Sequence, residues 1–280
     1  MIEKLREKAK ELLKSGDIKV VIGYIEGSSK NRIQPAYITR IEDIDKLVFN
    51  KYCYHNLASF LWRKEYKNLG KPAIVAKGCD VKAIITLIQE NQIKREDVVI
   101  LGVTCEGVGD PKLDKCEVCD VRTPKEFDYL FGDKKESTGK QEDKFKVLEK
   151  LEKMTPEERW EFWQKEFSRC IKCYACRQIC PLCYCNRCIA EKNIPQWIDT
   201  SPTLKGNLAW NIIRAYHLAG RCIGCDECER ACPMDIPLSL MNRKMAKEVL
   251  EQFGYISGYD KDAKPVLATF KDDDEEDFIL

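Results

Sequence analysis

The chain has 280 residues, 33% of them charged, yet its net charge is only +1. That balance gives no support to a nucleic-acid or membrane-surface role, and no stretch approaches the roughly 18 apolar residues of a membrane span. The length suits one large domain or two ordinary ones.

The opening MIEKLREKAKELLKSG reads as a charged amphipathic helix closed by Gly16, without the apolar region of a signal peptide, so a cytoplasmic location is expected. Ile18 to Ile25 is an apolar, beta-branched run of strand length, and Pro35 to Thr39 a shorter one. Ile41 to Phe49 and Asn56 to Leu69 read as helices. Pro72 to Ala76 is a buried-strand run, Asp80 is placed to cap a helix through Glu90, and Asp97 to Val103 is a second strand. Strand, helix and strand without a hairpin imply a parallel β-α-β unit with a right-handed crossover. Ligands gather at the C-terminal ends of such strands, and cysteine follows both: Cys79 after the first, Cys105 after the second.

The loop from Cys105 carries Cys116 and Cys119 as a C-x2-C pair. Cys79, Cys105, Cys116 and Cys119 are therefore candidates for a four-thiolate site, holding an iron-sulfur cluster or tetrahedral zinc. The alternative is free buried thiols at Cys79 and Cys105 with zinc on the pair. Residues Thr123 to Lys153 are polar and glycine-interrupted, as in a linker ending in a short helix. Thr155, Pro156 and Glu158 then form a capping-box signature for a helix with Trp160, Trp163 and Phe167 on one face, an aromatic stripe read as core roofing the cluster region that follows.

Two tandem runs dominate the second half: CIKCYACRQICP from Cys170 and CIGCDECERACP from Cys222. Both are C-x2-C-x2-C-x3-C-P, in which three cysteines hold one [4Fe-4S] cluster and the fourth serves its neighbour. One cluster is expected on Cys170, Cys173, Cys176 and Cys232, the other on Cys222, Cys225, Cys228 and Cys180. Soft thiolates suit this chemistry, and in a reducing compartment sixteen cysteines are more naturally ligands than disulfides. Helices are expected from about Gly206 to Leu218 and from Ile236 to Phe253. Between the runs lie Cys183, Cys185 and Cys188, which with Cys53 would make a fourth site for a cluster or zinc. His55 and His217 stand in no metal or nucleophile constellation and are read as structural. There is no GxGxxG or P-loop signature. The chain closes with the acidic KDDDEEDFIL, a solvated end unless Phe278, Ile279 and Leu280 anchor in a partner.

The stretch from PAIVAKGCDVKAIITLIQ to CEVCD, with IGYIEG and DKLVFNKYCYHNLASFL before it, resembles the beta-subunit family of coenzyme F-420 hydrogenases and formate dehydrogenases over roughly residues 18 to 125. AYHLAGRCIGCDECERACPMDIPLSLMNRK resembles the dicluster ferredoxin modules found beside heterodisulfide reductases and hydrogenases. The resemblance implies iron-sulfur clusters, FAD in the flavin-bearing members, and electron exchange with a catalytic subunit. The expected fold is an α/β domain over 1–125, a charged linker over 126–153, a mainly α-helical dicluster ferredoxin domain over 154–260, and an acidic tail over 261–280. The expected function is an iron-sulfur electron-transfer subunit. Its partners would be protein subunits of a redox complex and a soluble ferredoxin or flavoprotein. The competing reading is an FAD-containing oxidoreductase subunit that exchanges electrons with a deazaflavin.

Overall fold

In the computed structural model, which describes residues 1–29, 31–63, 68–137, 139–140, 142–192 and 194–266, the chain opens with helix α1, Ile2–Ser15. Leu5, Ala9 and Leu12 share one buried face, and Gly16 stops the helix in the left-handed conformation, as glycine does without Cβ penalty. Strand β1, Val20–Glu26, is buried along most of its length and pairs antiparallel with β2, Ile33–Ile38. Strands β3, Pro72–Ala76, β4, Val99–Val103, and β5, Tyr129–Phe131, complete a mixed sheet of order β2-β1-β3-β4-β5, in which all pairings from β1 to β5 are parallel. Helix α2, Gly78–Gln89, makes the crossover from β3 to β4. The expected parallel β-α-β unit is thus the centre of the N-terminal half.

Three local expectations are corrected. Ile41–Lys46 forms a 3-10 helix that buries only Ile44, after which Leu47 bridges Ile25 of β1; the IEDIDK segment has too few apolar positions to hold a longer helix. The expected Asn56–Leu69 helix is a 3-10 turn at Leu57–Phe60, because side chains satisfy its backbone instead. Asn56 Oδ1 accepts from Ala58 N–H at 3.1 Å, and the Asp80 carboxylate accepts from Leu57 N–H at 2.8 Å. Asp80 does not precede α2 as its cap; it lies inside the first turn and accepts the Lys77 N–H at 2.7 Å. Residues 64–67 of that segment and the acidic end with Phe278, Ile279 and Leu280 lie outside the described residues.

The stretch read as a linker is built into the fold. Its Tyr129–Phe131 is the fifth strand, and Lys144, in a 3-10 helix at Glu142–Leu148, is buried. The second half is helical, with α3, Pro156–Ser168, α4, Leu204–His217, and α5, Leu238–Phe253. Thr155 Oγ1 accepts from Glu158 N–H at 3.2 Å and Glu158 Oε2 accepts from Thr155 N–H at 2.8 Å, the reciprocal box expected there. Phe167 is fully buried with Trp163 stacked on it at 5.2 Å, whereas Trp160 remains 50% exposed. The aromatic stripe is therefore core at one end only.

The two halves pack on each other. Cys180, Leu182, Leu218 and Ile223 join the core of the sheet. Trp62 Nε1 donates to Pro181 O at 2.8 Å, and Arg221 pairs with Glu90, the residue that ends α2, at 2.6 Å. After α5 the chain folds back over α2: Ser257 Oγ meets Thr86 Oγ1 at 3.0 Å, and Gln89 Nε2 donates to Asp260 O and Ala263 O. Gly258 makes this strap possible. Its φ is 68°, and a Cβ there would sit 2.1 Å from Lys82 O, so only glycine allows the approach.

Candidate metal centres

The two tandem runs share a backbone as well as a spacing. Lys172 and Tyr174 of the first have φ of 53° and 60°; Gly224 and Asp226, at the matching places of the second, have 67° and 54°. Left-handed non-glycine residues are uncommon and costly, so their recurrence at equivalent positions marks a constrained turn. Such turns point successive N–H groups to one side, the concavity that receives phosphates and iron-sulfur clusters. A short helix follows each turn, Ala175–Ile179 and Glu227–Arg230, and the two pack against each other.

Each run closes around a cavity, with its last cysteine crossing to the other. Cys170, Cys173, Cys176 and Cys232 line the first cavity together with Trp210 and Lys172. Cys222, Cys225, Cys228 and Cys180 line the second together with Arg214 and Arg243. Burial pushes the Cys176 thiol up to about 11 and Cys228 to about 12. A thiolate is therefore costly there unless a metal shares its charge.

A third cavity lies at the C-terminal edge of the sheet. Cys79 from the first turn of α2, Cys105 after β4, and Cys116 and Cys119 from the following loop line it. Two backbone N–H groups already point at these sulfurs, Gly107 to Cys105 Sγ at 3.3 Å and Val108 to Cys116 Sγ at 3.5 Å. Arg122 Nη2 ties the loop by donating to Cys116 O at 3.0 Å. The second and third cavities share a wall, since Ile223 and Cys225 line both.

Four lysines surround the third cavity: Lys77, Lys82, Lys115 and Lys144. Lys77 Nζ lies 3.0 Å from Asp80, donates to His55 O at 2.9 Å and also bonds the Tyr24 hydroxyl. Lys82 and Lys144 share Asp120 at 3.0 and 2.5 Å. Burial alone would raise the Asp120 carboxyl, but the two ammonium groups outweigh it and hold it below the usual range. Burial and the Lys144 charge lower Lys82 to about 8. Lys115 Nζ donates to Cys225 O at 2.6 Å and reaches Glu227 at 3.5 Å, while Arg230 holds the same carboxylate at 2.7 Å.

None of the three cavities is lined by the expected fourth set, Cys53, Cys183, Cys185 and Cys188. Cys53 is fully buried and accepts the Asn50 N–H at 3.3 Å, and the other groups that chiefly act on it are Lys77, Cys105 and Asp80. Cys183 instead lies beside Cys180 and Arg214, Cys188 faces Glu191 and Arg177, and Cys185 is exposed. Cys53 belongs to the core of the sheet, and its neighbour Tyr54 lines the third cavity. Among the described residues, no three His, Cys, Asp or Glu side chains converge closely enough to hold a single metal ion. His55 is held below the usual imidazole range by burial and by Arg230; His217 is exposed at the end of α4.

Several buried polar atoms around the tandem cavities lack a protein partner: Trp210 Nε1 at the first, and Arg214 Nε, Arg243 Nε, Asp226 Oδ1 and Asn242 Oδ1 at the second. Unpaired buried N–H groups are rare in folded proteins. Three of them facing two cysteine-lined cavities fit a sulfur-rich anionic group. Spacing marked the cysteines, but nothing in the cysteine pattern pointed to Arg214, Arg243 or the lysines, most of whose partners lie far away in sequence.

Residues 169–237 match the family model described as a 4Fe-4S dicluster domain. Over 126 residues the chain is 40% identical to the F420-dependent formate dehydrogenase subunit beta of Methanocaldococcus jannaschii, an alignment covering 44% of this chain and 32% of that relative. It is 24% identical to the F420-dependent formate dehydrogenase 1 subunit beta of Methanococcus maripaludis over an alignment covering 92% of this chain and 91% of that one. The chain thus spans about a third of the first relative and nearly all of the second. These are the two resemblances read from the sequence. No helix among the described residues is long and apolar enough to cross a membrane.

Proposed function

We propose that this chain is an iron-sulfur electron-transfer subunit of a cytoplasmic oxidoreductase complex of formate dehydrogenase type, passing electrons between a catalytic subunit and a second carrier or flavoprotein. The observation that carries the reading is the set of three cavities walled by cysteines from distant parts of the chain, four at each tandem cavity and, at the sheet edge, four plus the shared Cys225. Bound [4Fe-4S] clusters would supply single-electron storage and transfer at these places. Cys170, Cys173, Cys176 and Cys232 would hold one, and Cys222, Cys225, Cys228 and Cys180 the second. Cys79, Cys105, Cys116 and Cys119 would hold the third. Iron-sulfur chemistry is preferred to zinc because both tandem runs carry the C-x2-C-x2-C-x3-C-P spacing and residues 169–237 match a 4Fe-4S dicluster model.

The residues give this relay an order. Cys225 belongs to the wall between the second and third cavities, and Arg214, lining the second, bonds the backbone of Cys176 in the first. The second site is therefore the middle link, and the first and third are the ends. Phe167, Trp210 and Ile236 keep water from the first, while β3, β4 and α2 hold the third rigidly. In domain terms, 1–125 with β5 forms one unit and 154–260 the other. The chain's partners are the other protein subunits of the complex.

Iron and sulfide content per anaerobically purified chain tests the count: about twelve of each is expected, and about eight would remove the third site. Stoichiometric FAD in the same sample would overturn the pure relay in favour of a flavin-bearing subunit. Replacing Cys225 by Ser should damage one of the tandem clusters, and retention of both would reject that ligand set.

A further inference from the structure

Arg214 is 5% exposed and no carboxylate among the described residues forms an ion pair with it. An isolated guanidinium in that position is expensive unless an anion shares the space. Its Nη2 donates to Cys176 O at 2.9 Å, its Nε has no protein acceptor, and it lines the second cavity. The sulfurs of Cys176, Cys180, Cys183 and Cys228 all lie in its field. It therefore stands on the wall between the two tandem sites. The other arginine of the second cavity differs: Arg243 is paired with Asp226 and bonds Lys144 O at 3.1 Å. The first cavity has Lys172, whose Nζ is turned to Asp199 O at 2.9 Å.

We propose that Arg214 is the shared counter-cation of the two tandem clusters and donates its free Nε–H to a sulfur of the second, raising the reduction potential of both. The inference rests on the tandem ligand sets proposed above. A four-thiolate cluster is net negative and gains further negative charge when it takes one electron from its donor. No bond is made or broken in that step, and Arg214 stays protonated throughout. A fixed buried cation stabilises the reduced form more than the oxidised one, and N–H donation to sulfur acts in the same direction. Arg214 is a positioning residue in this sense: it sets where the electron rests without binding iron.

The test is a redox titration of the anaerobically reconstituted full chain, followed by electron paramagnetic resonance, for wild type, Arg214→Met and Arg214→Lys. In Arg214→Met the reduction equilibrium of both tandem clusters should fall at least tenfold, about 59 mV for a one-electron couple, while the N-terminal cluster stays unmoved. Arg214→Lys, which keeps the charge but loses the Nε donor, should recover part of the shift. Unchanged potentials in Arg214→Met at wild-type iron content overturn the proposal. Should that variant not hold its clusters, isotope-labelled arginine decides. A nitrogen coupling on a reduced tandem cluster that vanishes in Arg214→Lys supports the proposal, and its absence from wild type or its persistence in the variant overturns it. A Cys225→Ser chain separates the two readings: if it keeps every cluster signal, the ligand sets have failed. If it loses one signal while Arg214→Met shifts nothing, only the role of Arg214 has failed.

Discussion

The cavity at the sheet edge and the cavities of the tandem runs solve the same problem in opposite ways. Around the first of these every charge already has a protein partner: Lys77 has Asp80, Lys82 and Lys144 have Asp120, and Lys115 shares Glu227 with Arg230. Around the tandem cavities, Arg214 lacks a counter-ion and three N–H groups lack acceptors. The sheet-edge site is complete as protein, whereas the tandem sites are incomplete without an anionic guest. Buried polar groups left unpaired destabilise a fold, so the helical half should depend on its iron far more than the sheet does.

Iron removal is the most severe way to test that contrast. Under anaerobic chelation, amides of 170–185 and 222–236 should lose their hydrogen-exchange protection, while those of β1, β3 and β4 keep it. Equal loss in both halves would erase the distinction. A smaller perturbation breaks one of the internal pairs: Lys77→Met leaves Asp80 buried without its cation and should cost about 3–5 kcal/mol in denaturant unfolding, with or without iron.

Acid probes the same network. Because the folded-state pKa of Asp120 is depressed, its pairing contributes stability that is fully present above the unfolded value of about 4 and is lost as pH falls through the folded one. Thermal melting of wild type and Asp120→Asn should therefore differ at neutral pH and converge below about pH 4. A difference that persists in acid would locate the effect in packing. The mildest probe is Thr155→Ala, which removes the cap of α3 and should cost about 1 kcal/mol in the iron-loaded chain. After chelation, denaturant unfolding should no longer register it if α3 has lost its packing partner.

Much of this molecule was legible because its signals are local. The Thr155 box, the glycine stop at Gly16, the β3-α2-β4 crossover and the spacing of the tandem cysteines each depend on residues close together in sequence. What was not legible depends on distance or brevity. β5 is only Tyr129–Phe131, too short for alternation to show in a charged stretch. Asp80 caps its helix from the third position, through the Lys77 N–H, and its second bond, to the distant Leu57 N–H, carries no local signal. Cys53 was grouped with other cysteines by arithmetic, and the fold buries it elsewhere. Arg214 carries no motif at all, since its meaning comes from which cysteines surround it.

The crossing of the last cysteine of each run also has a biosynthetic consequence. Cys180 leaves the ribosome long before Cys222, Cys225 and Cys228, and the first cavity cannot be closed until Cys232 follows. A product that stops before Cys232 presents Cys170, Cys173 and Cys176 but lacks the fourth thiol of the first cavity. With the proposed ligand sets, cluster assembly would act as a length check, in which only a polypeptide synthesised past Cys232 retains both tandem cofactors.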